Sequence, residues 1–185
     1  MPTLPEFTAE GTLPAGDYPM TLAELKESSL VLGPGPPRDH PVWDAAWREQ
    51  LVENLSVMVK QLWAVGIDEI YIDGSFVEDK DHPNDIDGYF VCAEDRVRTR
   101  SLQGSLNRLD PAKCWTWDHT TRRSYRGYPK RQLPMWHSYR VELYPHWVGL
   151  VAGRDALGNE LEFPAWFRQH RATGRPKGII KIVQR

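Results

Sequence analysis

One segment constrains the fold of this chain more than any other, because a one-sided helix runs directly into an apolar strand. Trp47, Leu51, Leu55, Met58 and Leu62 recur at spacings of three and four residues, which places them on one face of a helix, and Gly66 follows as a stop signal. The next residues, "DEIYID" (68–73), alternate as a strand does. A helix with one apolar face beside such a strand predicts a helix packed on a sheet.

The remaining segments extend this prediction to a whole domain. "TLAELKESS" predicts a short helix capped at Thr21, with Glu24 in the capping-box position. "DIDGYFVC" (85–92) and "SYRVELYPHWVGLV" (138–151) predict strands, whereas 95–109 and "PAWFRQHRATG" (164–174) predict helices. "PKGIIKIVQR" (176–185) is interpreted as a basic, β-branched tail.

We therefore expect an α+β (α/β-like) fold with a short mixed β-sheet flanked by helices. The first 20 or so residues are rich in proline and glycine, which predicts an irregular arm. The predicted organisation is an N-terminal arm with a short helix, residues 1–40, followed by a single domain, residues 41–185.

Composition favours a cytoplasmic protein. The chain has 185 residues, 41% of them hydrophobic and 26% charged, and contains no apolar run long enough to cross a membrane. Its opening residues lack the pattern of a signal peptide. Cys92 and Cys114 have no metal-like spacing and are expected to be small buried apolar residues in a reducing compartment.

Charge is distributed unevenly along the chain. Between Arg96 and Arg140 there are nine Arg and two Lys but only Asp110 and Asp118 as acids, although the whole chain has a net charge of −2. Aromatic residues are interleaved with these cations, at Trp115, Trp117, Tyr125, Tyr128, Trp136 and Tyr139. Rings and cations together favour a surface for RNA or nucleotide bases. The alternative is an ordinary solvated surface.

The stretch "GSFVEDKDHPNDIDGYFV" (74–91) carries the chemistry. Asp85 and Asp87 are two residues apart at the start of a predicted strand, so their side chains are expected to point the same way. Two adjacent carboxylates repel each other unless a cation lies between them, and oxygen ligands suit Mg²⁺ or Mn²⁺. The Gly74-Ser75 turn would allow a phosphate to approach the backbone. Glu142, on a later strand, is the best third acid, and its alternative is a surface glutamate paired with an arginine.

These residues resemble the nucleotidyltransferase superfamily, which has the DNA polymerase β-like fold. The resemblance lies in Gly74-Ser75, nine further residues, Asp85-Ile86-Asp87 and a later acid on a strand, roughly residues 66–147. The opening and the "RPKGIIKI" ending also resemble small bacterial and phage proteins of that superfamily, some relatives of which are toxins of toxin–antitoxin or phage-defence systems. The resemblance implies a nucleotidyltransferase fold, with metal bound by Asp85, Asp87 and Glu142 and triphosphate contacted by Gly74 and Ser75.

The function expected from this resemblance is metal-dependent transfer of a nucleoside monophosphate from a nucleoside triphosphate to an acceptor hydroxyl. The acceptor would be an RNA or tRNA 3′ end or a protein, and an antitoxin or other partner protein is also expected. Three cations near the C-terminal end, Arg171, Arg175 and Lys177, could contact triphosphate, or could belong to a solvated basic tail.

A second class of function is a non-catalytic nucleotide- or nucleic-acid-binding protein of the same fold that serves as a partner-binding component. It is favoured by two departures from the superfamily pattern. Gly88 stands where an apolar residue is usual, and Glu78, Asp79 and Asp81 place negative charge beside the predicted triphosphate site.

Overall fold

Within the part of the chain that the structure describes, seven strands and seven α-helices form a mixed α+β arrangement, as predicted. The structure is a computed structural model that describes residues 4–36 and 40–184. The described strands are β1 (Asp17–Met20), β2 (Ile70–Asp73), β3 (Ile86–Val91), β4 (Val141–His146), β5 (Val151–Arg154), β6 (Glu160–Glu162) and β7 (Ile179–Ile182). The described helices are α1 (Leu22–Lys26), α2 (Ser29–Leu32), α3 (Ala45–Ala64), α4 (Glu94–Arg98), α5 (Ser101–Leu109), α6 (Pro134–Tyr139) and α7 (Phe163–Phe167).

Five strands form the main sheet in the order β1-β7-β2-β3-β4. Neighbours β1 and β7 are parallel, β7 and β2 antiparallel, β2 and β3 antiparallel, and β3 and β4 parallel. The predicted short mixed sheet is therefore confirmed. Strands β5 and β6 form a separate antiparallel hairpin.

The helix predicted from the Trp47–Leu62 stripe is α3, and it covers one face of the main sheet. Leu51, Leu55, Met58 and Leu62 are fully buried in one apolar cluster with Ile70, Ile72, Ile86 and Phe90 of the adjacent strands. The predicted 95–109 helix is divided into α4 and α5, and α5 adds Leu102 and Leu106 to the same core. This apolar layer supports β2, β3 and β4 from behind.

The opposite face of the sheet is smaller and more polar. Tyr71 and Tyr89 stack on each other there, with ring centroids 4.8 Å apart, and α7 packs Phe163 and Phe167 against Tyr89. Strand partners in register share a face, so Asp73, Asp87 and Glu142 also belong to this side. Helix α7 and the β5–β6 hairpin cover only part of it.

The N-terminal segment is more ordered than the expected irregular arm. Thr21 caps α1 with the predicted capping box, in which Thr21 N–H donates to Glu24 and Glu24 N–H donates to the Thr21 hydroxyl. Strand β1 forms an edge of the main sheet, and Leu13 and Met20 are buried in the core. The domain boundary at residue 40 stays a prediction, but the chain before it contributes to the same sheet.

The interpretation of residues 176–185 as a basic tail is wrong for the part that forms β7. Ile179, Ile180 and Ile182 are fully buried, and β7 lies inside the sheet between β1 and β2. An apolar run with residues buried on both faces is typical of an internal strand. The flanking cations obscured this signal in the sequence.

A buried arginine holds the loop that follows β2. Arg48 of α3 has no exposed surface, and its guanidinium lies 3.9 Å from the centre of the Trp43 ring. It donates hydrogen bonds to four backbone carbonyls, those of Leu30, Phe76, Glu78 and Lys80. The loop that carries the Gly-Ser turn is thereby fixed to the helical core.

Candidate functional site

Three adjacent strands place a row of carboxylates side by side. Asp73 on β2 pairs in register with Asp87 on β3, and Asp87 pairs with Glu142 on β4. Asp85 immediately precedes β3. The sequence predicted that Asp85, Asp87 and Glu142 would come together, and they do. It did not identify Asp73, although the same strand alternation applied to "IYID" would have placed it opposite Asp87.

The row lies in a cleft of about 1370 Å³. The cleft is lined by all four carboxylates, by Gly74 and Ser75, and by residues of the β5–β6 hairpin and the 166–174 segment. Its volume exceeds the roughly 300–1000 Å³ typical of a pocket for one small molecule. There is room for a nucleotide and for part of a second molecule.

Asp87 is a strongly perturbed group in the cleft. Burial raises its pKa well above the ordinary aspartate value, and the neighbouring charges of Asp85, Glu142 and Asp73 raise it further. No described residue donates a hydrogen bond to its carboxylate. Asp87 is half-buried, and a partly desolvated carboxylate crowded by other acids and without a donor is costly unless it binds a proton or a cation.

Asp85 differs from Asp87 because it has one fixed partner. The indole Nε1 of Trp136 donates to Asp85 Oδ2 over 2.6 Å. Burial raises the pKa of Asp85, whereas this hydrogen bond and the charges of Lys80 and Arg140 oppose the increase. One oxygen of Asp85 is oriented by the indole, and the other has no donor among the described residues.

Glu142 is buried and already engaged by protein donors. The backbone N–H of Leu133 donates to Oε1 over 2.8 Å, and the hydroxyl of Tyr144 donates to Oε2. Arg122 lies 3.4 Å from Oε1 and also donates to the Tyr144 hydroxyl over 3.0 Å. Glu142 is therefore paired with an arginine, as in the alternative, but it is buried and not at the surface, and its role as a third metal-binding acid stays a prediction.

The glycines explain how the backbone approaches the acids. Gly74 has φ +76, and a Cβ there would lie 2.9 Å from Asp87 Oδ2. Only a residue without a side chain allows the turn to lie against the carboxylate. Gly88 points the other way, where a Cβ would meet the Tyr71 carbonyl oxygen at 2.3 Å. Its departure from the superfamily pattern is therefore a packing requirement behind the sheet.

Lys177 is enclosed between two acids next to the turn. Its Nζ lies 3.0 Å from Asp73 Oδ1 in a salt bridge and donates to Glu78 Oε1 over 2.8 Å. Burial raises the pKa of Asp73 to about 6, against the opposing effect of Lys177. Lys177 therefore lines the cleft, but its charge is matched by acids, and its contact with a triphosphate stays a prediction. The contact with Lys177 also accounts for the acidic Glu78 beside the predicted triphosphate site, whereas the other two acids of that loop, Asp79 and Asp81, are exposed.

The other two predicted cations differ in position. Arg171 is exposed, lines the cleft and is close enough to Asp87 for its charge to lower that carboxyl's pKa. Arg175 pairs with Glu10 and is not among the residues that line the cleft. Lys80 and Arg122, which the sequence did not single out, do line it.

The aromatic residues expected among the cations are mostly structural. Trp115 and Trp136 are fully buried, and Trp117 and Tyr139 pack against the core. Tyr125 is the exposed member of the set, at 41% of its surface. Four of the six rings therefore pack within the protein, and binding of RNA or nucleotide bases by this segment stays a prediction.

Among residues 4–36 and 40–184, no three His, Cys, Asp or Glu side chains are already grouped so that they could hold a metal ion. The reason is visible in the contacts above, because Glu142 is turned toward Arg122 and Tyr144. Asp85 and Asp87 retain oxygens that a cation could use. The described part of the chain also has no helix that is long and apolar enough to cross a membrane.

Fold and site together define a mixed α+β protein with a row of buried and half-buried carboxylates at the base of a large polar cleft. The profile of a family of unknown function, DUF6932, matches residues 5–183, and the chain belongs to that family. No curated protein and no solved structure matches the chain.

Proposed function

We propose that this protein is a metal-dependent nucleotidyltransferase that moves a nucleoside monophosphate from a nucleoside triphosphate to an acceptor hydroxyl on RNA or protein. The observation that carries the proposal is the Asp87 carboxylate. It is half-buried, has no donor among the described residues, and is surrounded by Asp85, Asp73 and Glu142 at the base of the cleft. A divalent cation is the ligand that relieves such crowding. The nucleotidyltransferase fold belongs to this proposal, on the strength of the sequence resemblance.

Asp85 and Asp87 would hold Mg²⁺ or Mn²⁺ through their free oxygens. The metal would neutralise charge on the phosphates during in-line displacement of pyrophosphate. Glu142 fits this role less well, since both its oxygens are engaged. Its own contribution would be to fix Arg122 and Tyr144 beside the metal-binding pair.

The residues around the acids suit a triphosphate. Gly74 brings backbone close to Asp87, and Ser75 offers a hydroxyl at the cleft wall. Arg171 and Lys80 are exposed in the same cleft and carry charges that no described acid neutralises in an ion pair. These two cations, rather than the enclosed Lys177, are the better candidates for phosphate contacts.

A transfer assay tests the reaction. The purified protein is incubated with each α-³²P-labelled nucleoside triphosphate, Mg²⁺ or Mn²⁺, and total RNA. We expect label to move onto RNA or onto protein with the wild type and with Asp68→Asn, an exposed aspartate used as a matched control. Asp87→Asn is expected to abolish transfer. Label that moves equally with Asp87→Asn, or no transfer under any condition, would overturn the proposal.

A second function has its own supporting observation. Because Glu142 is saturated by Leu133, Arg122 and Tyr144, the site lacks a free third acid. A non-catalytic nucleotide- or nucleic-acid-binding protein of the same fold, serving a toxin or phage-defence system as a partner-binding component, would need none. Triphosphate binding without transfer, measured by isothermal calorimetry in Mg²⁺, would favour this function.

A further inference from the structure

A loop beside the cleft carries a dense, one-signed charge. Between Asp118 and Glu142 there is no Asp or Glu, whereas there are six Arg or Lys. We use the name basic loop for residues 122–132. Arg123 and Gln132 close its base by exchanging two backbone hydrogen bonds of 2.8 and 2.9 Å.

The cations of the basic loop fall into two groups. Arg122 is held by Glu142 and Tyr144 at the cleft wall. The other four are exposed, and none forms an ion pair or a side-chain hydrogen bond with any described residue: Arg123, Arg126, Lys130 and Arg131. Four neighbouring cations without acidic partners repel one another, and a bound anion would reduce that repulsion.

The loop is continuous with the carboxylate cleft. Lys130, Arg131 and Gln132 line that cleft together with Asp85 and Asp87. A chain bound along the exposed cations would therefore enter the cleft where the proposed reaction takes place. The loop also presents Tyr125, a residue that is 41% exposed, as a place where one unpaired base could stack.

The loop is supported from beneath by cation–ring and hydrogen-bond contacts. The guanidinium of Arg140 lies 3.8 Å from the centre of the Trp136 ring and 4.2 Å from that of Tyr125. Trp136 in turn donates its indole N–H to Asp85. This chain of contacts connects the exposed face of the loop to a carboxylate of the site, so the bound polymer and the site would keep a fixed relative position.

From these observations we propose that the basic loop binds the phosphate backbone of single-stranded RNA and delivers its terminal hydroxyl to the cleft, which makes RNA the acceptor. The inference rests on the proposed function for the identity of the acceptor. A protein acceptor would need acidic side chains in a matching row to satisfy the same four cations, whereas every nucleotide of RNA supplies a phosphate. A single strand is required because the site lies at the base of a cleft and not on a flat surface.

The test measures RNA binding by fluorescence anisotropy without nucleotide or metal, with a 5′-labelled 20-nucleotide single strand. The loop variant is Arg126→Ala/Lys130→Ala/Arg131→Ala. Its matched control, Lys60→Ala/Arg98→Ala/Arg108→Ala, removes the same charge from exposed positions on helices α3, α4 and α5, outside the cleft. Both variants are checked for an unchanged thermal melt.

We expect the loop variant to weaken RNA binding about tenfold or more, and the slope of log K against log salt to become shallower by about 2, since each lost phosphate contact on a single strand contributes about 0.7. The control should change affinity less than about twofold, because long-range attraction from distant surface charges is screened by salt. Equal weakening by both variants would overturn the proposal. So would a blunt duplex that binds as tightly as the single strand, or single-stranded DNA that binds more tightly than RNA.

The experiments distinguish an error in the proposed RNA-binding surface from an error in the proposed transfer reaction. Wild-type protein that binds RNA through the loop yet transfers no label would refute the reaction and leave the surface. Label that moves onto protein, with RNA affinity unchanged by the loop variant, would refute the surface and leave the reaction.

Discussion

Replacing Asp87 with asparagine should make the metal-free protein more stable at pH 7.5. Asn has nearly the same shape as Asp but no charge. In the wild type, the folded chain must either keep a desolvated, repelled charge at position 87 or bind a proton far above the usual aspartate pKa. Both cost free energy, and Asn removes both costs.

The size of the gain follows from the strand register. Cross-strand partners lie about 5 Å apart, and two like charges at that distance repel by about 3 kcal/mol at an effective dielectric constant of about 20. Asp87 has two such partners, Asp73 and Glu142, but Lys177 and Arg122 offset much of their charge. A net gain of about 2 kcal/mol remains, which corresponds to about 4–8 °C in melting temperature for a chain of this size.

Differential scanning calorimetry in EDTA measures this gain, with Asp68→Asn as the control that should leave the melt within about 1 °C, since exposed substitutions away from special features change little. Addition of Mg²⁺ should raise the melting temperature of the wild type and close part of the gap, because a ligand that binds only the folded state stabilises it. A metal-free Asp87→Asn protein that melts below the wild type would refute the reasoning. It would show that Asp87 has a stabilising partner.

Three further outcomes follow from the same contacts. The pKa values of Asp73 (about 6) and Asp87 are raised in the folded state, so the contribution of these two groups to stability is fully present below about pH 4 and is lost as pH rises through the folded-state pKa values. The stability gained by Asp87→Asn, measured by calorimetry, should therefore be smaller at pH 5 than at pH 7.5. An equal gain at both pH values would contradict this. Gly88→Ala should cost about 3 kcal/mol or more in urea unfolding, because its Cβ would collide with a strand carbonyl that cannot move, and a loss under about 1 kcal/mol would argue against that packing. Arg48→Met should cost about 3–5 kcal/mol, since four buried carbonyls lose their donor, and retained stability would show that other donors or water replace the guanidinium.

Local patterns allowed much of this structure to be predicted. The α3 stripe, the capping box at Thr21 and strands β2 and β3 depend on spacing within a short window, and each formed as expected. The meeting of Asp85, Asp87 and Glu142 was also predictable, since strand alternation and the resemblance pointed to the same residues.

Long-range pairing explains what could not be predicted. Nothing near Lys177 in the sequence shows that Asp73 and Glu78 enclose it, because that contact depends on β7 lying next to β2. Likewise, the hydrogen bonds that engage Glu142 come from Leu133 and Arg122, which are positioned by the chain between α5 and β4. The acids were visible in the sequence, but their partners were not.

The position of β7 has a consequence for how the protein is made. This internal strand is the last of the seven to be synthesised, and about 100 residues separate it from β2, its partner in the sheet. At about 5–20 residues per second, the ribosome takes roughly 5–20 s to cover that distance. Until β7 arrives, β2 has an open edge, β1 has no strand to pair with and Lys177 is absent from beside Asp73. The nascent chain therefore lacks Lys177 and part of the sheet beneath the cleft until β7 is made, and the proposed transfer reaction would be absent until the sheet closes.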